Sequence, residues 1–140
     1  MEKVFIAGAI PEAGLNLLKQ HFEVEMYNDE GLISKEALIN GVKDATALVS
    51  LLSTNVDKDV IDSGKNLKII ANYGAGFNNV DIDYAREKGI DVTNTPKAST
   101  NATADLTIGL ILSVARRIVE GDELSRTKGF DGWAPLFFRG

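Results

Sequence analysis

Two nearly uninterrupted apolar runs, "ATALVSLL" (45–52) and "LKIIANY" (67–73), constrain the fold of this chain more than any other feature. A strand that is apolar at successive positions has no face suited to water, so each run reads as a central strand of a parallel sheet buried on both sides. Parallel neighbours need crossover connections, and helix-like segments stand between the runs.

The same alternation extends in both directions. "KVFIAG" gives a buried first strand over Val4 to Ala7, followed by a helix opened by Pro11 and carrying Leu15, Leu17 and Leu18. In "FEVEMY" the residues Phe22, Val24 and Met26 alternate with Glu23 and Glu25, as a half-exposed edge strand requires. Ser34 is placed to cap a second helix, with Ile33 and Leu38 as a staple and Gly41 as its expected stop. A short helix near Asp57 to Ser63, another near Ile82 to Lys88 stopped by Gly89, and a fifth strand "IDVTNT" complete the pattern. Asp57, Asp59, Asp81 and Asp83 fall at helix starts, where a carboxylate faces free amides. Five strands separated by helices predict an α/β fold: a flavodoxin-like, doubly wound parallel five-stranded sheet, with function at the C-terminal ends of the strands.

After Pro96 the composition becomes helical for about thirty residues, with Ser99 or Thr100 as a cap and Gly121 as an expected kink or break. Leu106, Ile108, Leu110, Ile111, Leu112 and Val114 cover more than one face of that helix, so something besides the sheet is expected to bury it.

Composition excludes several function classes. With 140 residues the chain has room for one ordinary core. A formal charge of -5 and no dense basic run argue against nucleic acid and anionic membranes as partners. The absence of cysteine removes disulfides, thiolate metal sites and thiol nucleophiles, and agrees with a cytoplasmic setting. The one histidine, His21, lies between a helix and an edge strand with no acid or nucleophile nearby, so neither a metal site nor a Ser/His/Asp triad can be assembled.

The stretch "NYGAGFNNVD" (72–81) follows a strand and carries Gly74 and Gly76 around Ala75. A dinucleotide fingerprint needs a third small residue where Asn79 stands, and an acidic residue where the next strand ends in Thr95 and Pro96. Two readings stay open: a loop whose backbone amides face a small anion such as a carboxylate, or a tight turn that binds nothing.

The long stretch "NYGAGFNNVDIDYAREKGIDVTNTPKASTNATADLTIGLILSVARR", together with "LLSTNVDKDVID" and "GWAPLFFRG", resembles the D-isomer-specific 2-hydroxyacid dehydrogenases, in particular their glyoxylate and hydroxypyruvate reductase branch. The resemblance spans the whole chain. It implies a flavodoxin-like substrate-binding domain over residues 1–98, then a crossover helix and tail over 99–140 leading into a Rossmann domain that binds NAD(P)H. It implies that the amides of Ala75 and Gly76 hold the carboxylate of a small 2-oxoacid, with Leu52 and Ser53 lining the same cleft. Thr103 is implied near the nicotinamide, and Asp105 replaces a more usual Glu. Trp133 is implied either to reach a neighbouring subunit's site or to pack in a core, and a homodimer through the crossover helix is expected. The family's catalytic Arg, Glu and His lie beyond a segment like "LFFRG", so none is expected within these 140 residues, and a truncated, inactive portion of a longer reductase follows. The alternative is a stand-alone module that binds a small carboxylate or a partner without catalysis.

Overall fold

The computed structural model describes residues 1–127, 129, 132 and 134–138, and the chain divides into two compact units, residues 1–98 and 99–140. The first unit alternates β1 (Lys3–Ile6), α1 (Glu12–Lys19), β2 (Glu23–Met26), α2 (Lys35–Val42), β3 (Ala47–Leu51), α3 (Lys58–Ser63), β4 (Ile69–Tyr73), α4 (Ile82–Glu87) and β5 (Asp91–Thr93). All pairings are parallel, in the order β2-β1-β3-β4-β5. This is the flavodoxin-like α/β sheet expected from the alternating pattern, with "FEVEMY" at one edge and "IDVTNT" at the other.

The helices begin where polar side chains satisfy their first amides. Ser34 Oγ accepts from the Ala37 amide at 3.1 Å, Asp57 Oδ1 from Val60 at 3.2 Å, and Asp81 Oδ1 from Tyr84 at 3.1 Å. Gly89, at φ +73°, ends α4 in the left-handed conformation, and the Ile90 amide turns back to the Ala85 carbonyl at 2.9 Å.

The connected hydrophobic cluster lies on one face of the sheet. Phe5, Leu48 and Ile70 share a register row and pack with Leu38, Val42, Val60 and Ala85 from α2, α3 and α4. On the opposite face the row Ile6, Val49, Ala71, Thr93 has Ile6 buried, and a cavity lined also by Gly14 of α1, a helix with no buried residue, borders the other three. There Val49 and Ala71 are half-buried and Thr93 exposed, so the central strands are sealed on one side and partly open on the other. The apolar runs led us to expect burial on both.

Gly41 does not end α2. It lies inside the helix, where a Cβ would come within 2.2 Å of the buried Phe5 ring. The second unit holds α5 (Thr100–Ala115) and α6 (Ile118–Thr127), and their break falls at Arg116 and Arg117, the latter at φ +52°. Gly121 sits within α6, where a Cβ would stand 3.2 Å from the Phe138 ring. Both glycines make room for an aromatic ring and interrupt nothing. Helix α5 starts after Ser99, whose carbonyl accepts the Thr103 amide at 2.9 Å, and none of its residues is buried. No helix among the described residues is long and apolar enough to cross a membrane.

Candidate functional site

The loops after β3 and β4 meet at the C-terminal edge of the sheet. They are joined by a polar clasp set into the rim of the core. Ser50 and Asn72 pair across β3 and β4, both 2% exposed or less, and Ser50 Oγ donates to Asn72 Oδ1 at 2.8 Å. Asn79 Nδ2 shares its two protons among three acceptors, the carbonyls of Leu51 (3.0 Å) and Thr54 (2.9 Å) and Asn72 Oδ1 (3.0 Å). Below the clasp, Val56 and Val80 form an isolated parallel bridge, with the Val56 amide on the Asn79 carbonyl at 2.7 Å. Among the described residues no buried side-chain polar atom lacks a partner, so the network is satisfied throughout.

The loop carrying Gly74, Ala75 and Gly76 is anchored by its carbonyls. The Gly74 carbonyl accepts from the Thr95 amide at 2.9 Å, that of Ala75 from Asn94 Nδ2 at 2.8 Å, and that of Gly76 from Asn72 Nδ2 at 2.8 Å. Among the described residues the amides of Ala75 and Gly76 have no acceptor, and both residues are exposed. Three held carbonyls beside two free N–H groups give the loop a local excess of donors, the arrangement that suits an anion.

Leu52 lies against this loop. A Cβ on Gly74 would fall 2.3 Å from Leu52 Cδ2, whereas one on Gly76 would stand 4.0 Å from the same atom, in ordinary contact. Gly76 has neither a crowding neighbour nor a positive φ to explain its missing side chain. The space over it is open. Ser53 occupies the exposed turn beside Leu52, closed by the Thr54 amide on the Leu51 carbonyl at 2.9 Å. The structure therefore brings Leu52 into contact with the glycine loop and puts Ser53 in the adjoining turn. Thr103 belongs to the second unit, in the first turn of α5, and Trp133 lies outside the described residues.

A cavity of about 310 Å³ opens on the half-covered face of the sheet, lined by Ile10, Pro11, Val49, Ala71, Tyr73 and Asn94 among others. It is apolar and includes neither free amide. No group of three or more histidine, cysteine or acidic residues among those described could hold a metal. His21 is exposed, in the turn after α1.

The sequence reading assigns no binding or anchoring role to Asn72, Asn79, Asn94, Ser50 and Thr54, which hold the site together. A signal existed for two of them: Ser50 and Asn72 are polar residues inside runs otherwise apolar, and a buried polar group needs a partner.

The sequence pattern described as D-isomer specific 2-hydroxyacid dehydrogenase, catalytic domain, matches residues 4–134. A protein of Staphylococcus aureus strain MRSA252, provisionally named a 2-hydroxyacid dehydrogenase, is 83% identical over all 140 residues, which make up 44% of its length. The crystal structure of a Thermus thermophilus protein superposes with a TM-score of 0.89 at 38% identity, over 99% of this chain and 44% of that one. The NADPH-dependent glyoxylate/hydroxypyruvate reductase of Sinorhizobium meliloti, solved with citrate, gives a TM-score of 0.73 at 27% identity, over 100% of this chain and 45% of that one. The chain thus spans less than half the length of the relatives it matches.

Proposed function

The chain belongs to the D-isomer specific 2-hydroxyacid dehydrogenases, and on that premise we propose that it is the substrate-binding portion of an NAD(P)H-dependent reductase of small 2-oxoacids, of glyoxylate or hydroxypyruvate type. The observation that carries the reading is the glycine loop: two free amides, three anchored carbonyls, and a Gly76 whose missing side chain no neighbour explains. A carboxylate approaching the backbone closely would explain it. The likeness to the Sinorhizobium meliloti enzyme supports the choice of substrate class.

In this reading the amides of Ala75 and Gly76 bind the carboxylate and fix its orientation. Leu52, more than half exposed beside them, shields one side of the bound acid from water, and Ser53 lines the mouth. Apolar cover strengthens hydrogen bonds to the anion by lowering the local dielectric. The nicotinamide cofactor would supply the hydride. The residues described here do not form a dinucleotide site, since the glycine loop lacks a fingerprint's third small residue and Asn79 at that place is committed to the clasp. We place Thr103 near the nicotinamide, and this chain's other site residues bind and orient the acid. We further propose that these 140 residues alone do not turn over substrate.

Amide spectra of the labelled chain titrated with glyoxylate test the reading. Saturable shifts centred on Ala75 and Gly76 are expected, with no NADPH oxidation by the 140 residues. Shifts confined to other regions, or none, would overturn it.

A further inference from the structure

We infer that Asn94 is a positioning residue of the carboxylate cradle, aiming the Gly76 amide by holding the carbonyl of Ala75; the inference rests on the reading of the loop given above. In a trans peptide the C=O and the following N–H point in opposite directions within one plane. Holding a carbonyl therefore sets the direction of the next residue's amide. The Ala75 carbonyl is held by Asn94 Nδ2 at 2.8 Å, so the Gly76 N–H points away from Asn94. The same logic makes the Thr95 amide, on the Gly74 carbonyl at 2.9 Å, the anchor that directs the Ala75 N–H.

The three anchors differ in kind. Thr95 acts through its main chain, which any residue but proline would supply. Asn72 holds the Gly76 carbonyl from a buried position and also serves the clasp, so its loss would disturb the core rim. Asn94 follows the edge strand β5, half-buried, outside the hydrophobic core. Its side-chain nitrogen is committed to the glycine loop, nineteen residues away in sequence. A short side chain with an N–H donor is required there, because an acceptor would face the carbonyl's own lone pairs. Without the donor, the peptide between Ala75 and Gly76 turns its carbonyl toward water and its amide rotates with it.

The test compares the labelled wild type with Asn94→Ala and Asn94→Asp. Residual dipolar couplings are measured on the unliganded proteins, then each is titrated with glyoxylate. Asn94→Ala is expected to bind glyoxylate about tenfold more weakly, with the melting midpoint and the couplings of Ile69–Tyr73 unchanged and that of the Gly76 N–H altered. Asn94→Asp should bind at least as weakly as Asn94→Ala. Wild-type affinity in both variants, or an unchanged Gly76 N–H coupling, would overturn the inference. If the wild type shows no saturable shift, the carboxylate reading fails, while the dipolar couplings still decide whether Asn94 aims the amide. Should the variants not fold, the scalar coupling across the hydrogen bond from Asn94 Nδ2 to the Ala75 carbonyl carbon in the wild type decides, its absence counting against the inference.

Discussion

Leu52 occupies the space that a side chain on Gly74 would need: Cδ2 lies 2.3 Å from the ideal Cβ position there, and 4.0 Å from that of Gly76. The two glycines of one short loop therefore have different reasons to be glycine. Leu52 is more than half exposed and has solvent to turn into, so Gly74→Ala should displace it at a cost of about 1 kcal/mol or less. Gly76→Ala should melt within about 0.5 kcal/mol of the wild type yet bind glyoxylate at least about tenfold more weakly, since the new methyl projects over the free amides. Calorimetric titration beside thermal melts separates the two effects. Full affinity in Gly76→Ala would remove the steric argument for the cradle.

Asn79→Ala should be the most damaging single change at the site. It leaves the Thr54 carbonyl without its donor and takes one of two donors from the Leu51 carbonyl and from Asn72 Oδ1, which keep the Thr54 amide and Ser50 Oγ. A loss of about 2–3 kcal/mol is expected from urea midpoints. Asn79→Asp, similar in size but presenting an acceptor to two carbonyls, should be worse. A variant as stable as the wild type would mean that the clasp contributes nothing.

Gly41 faces Phe5 with no such freedom. The ring is 3% exposed and a Cβ would come within 2.2 Å of it. Gly41→Ala improves local helix propensity, but overpacking should outweigh that gain, giving a net loss of about 1–3 kcal/mol. Gly41→Ala with Phe5→Leu should recover part of it. An alanine variant more stable than the wild type would contradict the packing.

Asp57 predicts an acid limb in the stability curve. Lys35 Nζ on its Oδ2 at 2.7 Å holds its carboxyl below the ordinary value of 3.8, helped by the Val60 amide and opposed by partial burial. A depressed carboxyl in the folded state means that the unfolded chain takes up its proton first on acidification. The contribution is therefore complete above 3.8 and fades as pH falls through the lower folded value. Asp57→Asn keeps a capping oxygen and removes the charge, so its stability should fall less steeply below pH 3.8 than that of the wild type. Parallel acid limbs would show that the ion pair and cap carry no linkage.

We propose that α5 is a surface of self-association. Its apolar residues, Leu106, Ile108, Leu110, Ile111, Leu112 and Val114, are all more than half exposed, a larger apolar display than a single isolated surface residue needs. Sedimentation should show concentration-dependent association, weakened by Ile108→Glu with Leu112→Glu. A monomer at all concentrations would count against it.

The strand and helix order was legible because apolar runs, capping side chains and Gly89 are local signals whose meaning does not depend on a distant neighbour. Gly41 and Gly121 were misread for the opposite reason. A glycine that stops a helix and one that admits an aromatic ring look alike in sequence, and only Phe5 and Phe138 distinguish them. At the site, Leu52, Ser53, Ala75 and Gly76 were named through family resemblance. Asn79 was noted only as an obstacle to a nucleotide fingerprint, because the carbonyls it serves lie 25 and 28 residues away. Asn94 escaped for the same reason.

The clasp between the loops after β3 and β4 bears on how such a site discriminates. Loops tied to each other and to the sheet present a rigid receptor, so an acid arriving there orders little chain and loses little affinity to entropy. On the proposed reading, two fixed amides would recognise the carboxylate that every 2-oxoacid shares. Selectivity among those acids must then come from whatever meets the other end of the molecule, and exchanging one substrate for another should be possible without altering the handle by which all of them are held.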